Sequence, residues 1–228
     1  MLDVAAPVII FDVNETLLDV RAMGPRFAAE FGDTTLLSEW FSNLLGYSLE
    51  VTVTGDYRPF DELAANALVV TARRHGFDPS SSAVAGIISG ITELPAHGDV
   101  EEGLEMLKAA GFALATLTNS RHAAVEAQLN YAGIAHHFDR VMSVEEVRQF
   151  KPAPATYHYA AEQCGVAVDE LTLIASHDWD VNGAILAGAS AAFLERANAT
   201  RAPHNVIPEV TATDLPSLVA KLVDNSNR

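Results

Sequence analysis

The strongest constraint on this chain is a short apolar run that stops on an acid. Residues 7–12 read PVIIFD, continuous and without alternation, and end at Asp12. Alternation would mark a strand with one wet face. A continuous run of this length marks a strand buried on both faces, as in a parallel sheet. The same grammar returns at 112–117 (FALATL), 171–175 (LTLIA) and 190–194 (SAAFL). Helical spacing fills the intervals. Leu104 and Leu107 share a face over 100–110, Val125, Leu129 and Ala132 over 121–132, and Tyr157, Ala160, Ala161 and Cys164 over 153–164. A short helix follows over 180–187, with Asp180 as its N-cap. Glycine follows each of these four segments, a common helix stop. Strands alternating with helices predict an α/β fold, a Rossmann-like doubly wound parallel sheet.

Residues 20–95 break that pattern. They are rich in Leu, Phe, Trp and Tyr, with helical spacing around 24–31, 34–53, 60–75 and 80–91 and no convincing parallel strand. The β-rich stretch 49–54 (LEVTVT) is read as helix because its flanks are helical. This predicts a helical domain, 19–95, inserted after the first strand of a core formed by 1–18 and 96–228. Leu94-Pro95 and Gly98 mark the return to the core.

Length and charge narrow the function. A chain of 228 residues, 49% of them hydrophobic, can bury a core domain and a smaller insert. The formal net charge of -16 and the absence of a Lys/Arg run exclude a nucleic-acid-binding face. The same field repels anionic substrates, so any site for one needs its own local cations. The single cysteine, Cys164, cannot form an internal disulfide, which fits a reducing, cytoplasmic setting. MLDVAAPVII lacks the features of a signal peptide, and no run reaches the roughly 18 apolar residues of a membrane span. The polar tail DNSNR reads as frayed.

In open α/β sheets, ligands bind at the carboxyl ends of the strands. Four polar clusters are expected there or close by. Asp12 begins DVNETL, Thr118-Asn119-Ser120 follow the second run, Lys151 lies in FKPAPATY, and Ser176-His177-Asp178-Trp179-Asp180 follow LTLIA. Thr118 and Asn119 also suit a helix cap, and Tyr157 also suits ordinary core packing. The remaining histidines share no metal-ligand spacing, and His136-His137 reads as a surface pair at a helix end.

This ordered set, an Asp with Thr four residues on, then T-N, then K-P, then an acid-bearing loop, resembles the haloacid dehalogenase superfamily. DVNETLLD, FKPAPATY and the WD of ASHDWDV most resemble its type II 2-haloacid dehalogenases. The resemblance covers most of the chain and places the helical insert in the family's first cap position. It implies that Asp12 attacks carbon, expels halide and forms an ester. Thr16 would bond an Asp12 oxygen, Lys151 would keep Asp12 ionised, and Asp180 would deprotonate the hydrolytic water. Thr118, Asn119, Ser176, His177, Trp179, Tyr157 and Phe41 would bind a small carboxylate substrate. It further implies no cofactor and a homodimer.

Two departures bear on the chemistry. Phosphatases of the superfamily carry a second acid two residues after the nucleophile, where this chain has Asn14, and a Mg²⁺-holding acid four before the last Asp, where it has Ser176. Halide departure needs neither, so carbon–halogen cleavage is favoured, with a Mg²⁺-dependent phosphatase or a non-catalytic carboxylate-binding protein as alternatives. The dehalogenases also carry a cap Arg after a Trp, where Trp40 is followed here by Phe41. Arg58 or Arg21 would have to supply that charge, and His177 stands where the family has Asn.

Overall fold

The computed structural model describes residues 7–197 and 199–226. The first and last residues of the chain, with parts of the leader and tail readings, lie outside them. Strand β1 (Val8–Phe11) is buried along its whole length. It pairs in parallel with β2 (Ala113–Thr118) on one side and β4 (Leu171–Ala175) on the other, which is why its sequence shows no polar face. With β3 (Arg140–Ser143), β5 (Ser190–Leu194) and β6 (Val210–Ala212) they form one parallel sheet in the order β3-β2-β1-β4-β5-β6. The order runs outward from β1 in both directions. That reversal opens a crevice at the carboxyl end of β1, and Asp12 is the next residue. Its own N–H donates to the Ile174 carbonyl at 3.1 Å, so the backbone ladder extends to the acid itself.

Between β1 and the rest of the sheet lie four helices, α1 (Gly24–Phe31), α2 (Leu36–Thr54), α3 (Phe60–Arg74) and α4 (Ser81–Ile88). The reading of 49–54 as helix agrees with α2. The fourth helix was expected to run to 91; it ends at Ile88, and a 3-10 turn continues over Ser89–Glu93. These helices bury their aromatic faces together: Trp40 lies 5.5 Å from Phe27, ring to ring, and donates Nε1–H to the Ala64 carbonyl at 2.9 Å. The chain crosses to and from this layer as a paired neck. Asp19 N–H donates to Pro95 O, and His97 N–H to Leu17 O, both at 2.9 Å.

Helices α5 (Val100–Ala109), α6 (His122–Tyr131), α7 (Pro154–Cys164), α8 (Asp178–Leu186) and α9 (Leu215–Ser226) complete the core. Gly165 ends α7 at φ 73°, a left-handed conformation that costs glycine nothing. Three expectations are corrected here. Helix α8 begins at Asp178 with His177 as its N-cap, so Asp180 sits inside the first turn instead of capping it. Residues 224–226 of the polar tail belong to α9, whose apolar face packs on the core through Leu215, Leu218 and Val219. Strands β3 and β6 were not expected. Among the described residues, no helix is long and apolar enough to cross a membrane.

Candidate active site

Lys151 is the hub of the crevice. It is 1% exposed, and its Nζ lies 2.7 Å from Asp12 Oδ1, 2.6 Å from Asp180 Oδ2 and 2.9 Å from the Leu117 carbonyl. An ammonium has three protons, and all three are used. Its backbone N–H donates to Asn119 Oδ1 at 3.0 Å, which ties the loop before α7 to the end of β2. Burial opposes charge on Lys151, but Asp12 and Asp180 outweigh it and raise its pKa. Burial likewise opposes charge on Asp12. The Lys151 ammonium and His177 overcome this and hold the Asp12 carboxyl below the usual carboxylate range. Asp12 is therefore a buried anion kept ionised by two cations.

Asp180 has both oxygens engaged: Tyr157 donates its hydroxyl to Oδ1 at 2.6 Å, and Lys151 takes Oδ2. Burial raises its pKa more than Lys151 lowers it. Burial, with Asp180 facing it, pushes the Tyr157 phenol well up, so Tyr157 stays a donor. Tyr157 is fully buried and holds Asp180 through its hydroxyl.

The other Asp12 oxygen has different partners. Thr16 donates its hydroxyl to Oδ2 at 2.7 Å, and Ser176 N–H donates to the Thr16 oxygen at 2.9 Å. His177 Nδ1 lies 3.1 Å from the same Oδ2, and its Nε2 lies 2.8 Å from Glu15 Oε2. Two anions at its two nitrogens outweigh burial and push the His177 imidazole up to about 10. Its ring stacks against Trp179 at 5.0 Å and Phe41 at 6.1 Å between centroids. Phe41 thus reaches the site from α2 as a stacking partner. Glu15 adopts φ 63°, rare for a residue with a Cβ, and its carboxylate is turned toward His177.

Other expected residues have structural ties. Thr118 is buried, and its Oγ1 accepts the Ser120 N–H at 3.1 Å. The expected helix cap at Thr118 and Asn119 is corrected: α6 begins at His122, its N-cap is Arg121, and no side chain caps it. Asn14 donates to Ser120 Oγ at 3.2 Å and accepts from Gln128 Nε2 at 2.9 Å, tying the β1 loop to α6. Asp178 accepts from Ala202 N at 2.8 Å and Asn205 Nδ2 at 2.5 Å, so it anchors the segment after β5. Neither arginine proposed for the absent cap charge joins the cluster. Arg58 pairs with Asp56 and Glu62, and Arg21 with Asp19. The histidine pair is also corrected: His137 is buried, and both His136 and His137 lie within 4.0 Å of Glu101, at 3.8 and 2.9 Å.

Sequence reasoning missed Glu15, Arg196 and Gln128. Arg196 follows β5, grips Asp99 through both carboxylate oxygens at 2.7 Å, and donates to the Thr16 carbonyl at 2.9 and 3.1 Å. Its place just past a strand's carboxyl end was a usable signal. A cleft of about 670 Å³ opens beside this network, lined by Glu15, Arg21, Ser176, His177, Trp179 and Arg196 among others. His177 both lines the cleft and touches Asp12. Ser176 Oγ is buried and has no hydrogen-bond partner among the described residues, and Asn119 has its Oδ1 committed to the backbone of Lys151.

A family model described as haloacid dehalogenase-like hydrolase matches residues 6–188. The chain is 31% identical over 177 residues to (S)-2-haloacid dehalogenase 4A of Burkholderia cepacia, covering 77% of each chain. It is 28% identical over 219 residues to (S)-2-haloacid dehalogenase 1 of Pseudomonas sp. (strain CBS-3), covering 93% of this chain and 96% of that one. Its fold is similar to that of L-2-haloacid dehalogenase from Xanthobacter autotrophicus, with a TM-score of 0.90 at 25% identity, over 95% of this chain and 98% of that one.

Proposed function

The chain belongs to the haloacid dehalogenase-like hydrolases, and we propose that within that family it cleaves the carbon–halogen bond of a short 2-haloalkanoic acid through a covalent ester on Asp12. The observation that carries this reading is the position of Lys151, whose ammonium lies between Asp12 and Asp180 at 2.7 and 2.6 Å. It keeps the nucleophile ionised in a buried place, where a carboxylate is stripped of water and its attack is strengthened. The leaving halide departs as an anion and needs no proton.

The residues do not fit Mg²⁺. A hard cation wants a near-octahedral shell of oxygens. Here an ammonium sits between the two acids, Ser176 offers no charge, and Asp178 is committed to the segment after β5. A phosphatase would also need an acid at residue 14, where Asn14 is held by Ser120 and Gln128.

In the first step an oxygen of Asp12 attacks the substrate carbon in line, the carbon–halogen bond breaks, and the electron pair leaves with the halide. Ser176 Oγ and the Asn119 amide supply donors for the substrate carboxylate. In the second step water attacks Cγ of Asp12, and Asp180 takes its proton. The helical layer, 19–95, acts as a cap that limits water during the first step. Halide release from fluoro-, chloro- and bromoacetate and 2-chloropropionate, with and without EDTA, tests the reading. EDTA-resistant halide release, with the oxygen of H₂¹⁸O entering Asp12 in a single turnover, is the expected result. Phosphate release from an aryl phosphate with Mg²⁺, without halide release, would overturn it.

A further inference from the structure

The reaction outlined above gives His177 no task beyond helping Lys151 to keep Asp12 ionised. In-line displacement puts the departing halide on the far side of the carbon from Asp12, whereas His177 contacts Asp12 itself. It therefore does not replace the absent cap arginine as a halide cradle. Its geometry suits the other half of the reaction.

A carboxylate oxygen offers two lone-pair sites. On Asp12 Oδ2 both are taken, by Thr16 at 2.7 Å and His177 at 3.1 Å. On Oδ1 only one is taken among the described residues, by Lys151 at 2.7 Å. The oxygen with a free lone pair is Oδ1. We propose that Asp12 attacks through Oδ1, and that Thr16 Oγ–H and the His177 imidazolium form the oxyanion-binding site for Oδ2 when the ester is hydrolysed. This rests on the ester chemistry proposed above and assigns its oxygens.

Each donor is oriented from behind. Ser176 N–H occupies the Thr16 oxygen at 2.9 Å, so the Thr16 proton points at Oδ2. Glu15 Oε2 accepts at His177 Nε2 at 2.8 Å, so Nδ1 must carry a second proton to face Asp12. The pKa pushed up to about 10 accords with that doubly protonated ring. Stacking between Phe41 and Trp179 fixes its plane, and aromatic faces favour a cation. Phe41 thus holds a cation in the site, although it carries no charge.

The bonds balance. With Oδ1 alkylated, Oδ2 is the ester carbonyl oxygen. Water oxygen bonds to Cγ, the carbonyl electron pair moves onto Oδ2, and the water proton passes to Asp180. The pair on Oδ2 then returns, and the Cγ–Oδ1 bond breaks. The departing alkoxide takes a proton from Lys151 Nζ, which recovers one from Asp180; this nitrogen touches both Oδ1 and Asp180 Oδ2. The new Asp12 acid releases its proton to solvent. Oδ2 bears full charge only in the tetrahedral intermediate, so donors fixed on it help hydrolysis selectively. In the first step the same donors stabilise the carboxylate ground state and restrain its attack.

The two half-reactions should therefore respond differently to loss of His177. In rapid-quench assays with chloroacetate, intact-protein mass spectrometry measures the ester on Asp12. For His177→Ala we expect a halide burst no slower than wild type, ester hydrolysis slowed ~10²-fold or more, and ester as the main steady-state form. Glu15→Gln keeps the ring and removes its anchoring anion, so it should accumulate ester in the same direction if the alanine variant does not fold. Equal slowing of burst and hydrolysis, or ester at the wild-type level in both variants, overturns the assignment while the ester chemistry stands. Wild-type protein that forms no ester with any of the four haloacids overturns both.

Discussion

Lys151 Nζ lies 2.7 Å from Asp12 Oδ1, at a place where the lysine is 1% and the aspartate 5% exposed. Removing one partner of a buried pair leaves the other charge unpaired, at a cost of about 3–5 kcal/mol. Lys151→Ala leaves Asp12 and Asp180 as two buried acids without their shared cation. It should lower the melting temperature and cut halide release by at least ~10²-fold, ~2.7 kcal/mol of barrier. Asp12→Asn leaves Lys151 paired with Asp180, so it should abolish turnover while the protein stays folded. Steady-state halide assays and thermal unfolding of the two variants separate these effects. Near-wild-type turnover in either variant would return that residue to a structural role.

His177 makes stability depend on alkaline pH. Its folded pKa is about 10 against an ordinary 6.5, and the facing groups that raise it are Asp12 and Glu15. A raised pKa means that the folded state holds the proton more tightly than the unfolded one. The stabilisation is complete below 6.5 and is lost as pH rises toward 10. Melting temperatures of wild type and His177→Gln should differ most near pH 6 and converge near pH 10. A difference that grows with pH would contradict the charged imidazole.

Much of the site could be read from the sequence because parallel strands announce themselves. β4 and β5 match the sequence reading residue for residue, and Asp12 follows from the end of β1. What stayed hidden has physical causes. β3 carries Arg140 and half-buried Val141, and β6 has three residues, so neither shows a continuous apolar run. Glu15 depends on a positive φ that no residue type demanded, and its pairing with His177 spans 162 positions. Trp179 could be placed from its neighbours, whereas Phe41 could be placed only through the family resemblance, because it arrives from another layer by tertiary packing.

Gly183 has a role that only packing reveals. A Cβ there would lie 2.3 Å from Pro152 Cβ and 2.8 Å from the Tyr157 hydroxyl. Gly183→Ala should force α8 away from α7, cost about 1–3 kcal/mol, and loosen the Tyr157–Asp180 bond. Gly46, exposed within α2, meets nothing within 4 Å. Gly46→Ala should instead stabilise by about 0.5–1 kcal/mol. Denaturant titration of both variants checks the pair of opposite signs.

Asn14→Asp tests whether one residue separates this site from a phosphatase. The change is nearly isosteric, and its surroundings tolerate an acid. Gln128 Nε2 can go on donating to it, and the Ser120 hydroxyl can turn from acceptor to donor. The variant should therefore fold with little change in melting temperature. It should not release phosphate from an aryl phosphate with Mg²⁺, because Lys151 still fills the space between Asp12 and Asp180 that the cation would need. Halide release should persist, since departure of an anion uses no acid at residue 14. Mg²⁺-dependent phosphate release by Asn14→Asp would show that the ammonium moves aside, and the barrier to phosphoryl chemistry would then rest on residue 14 alone.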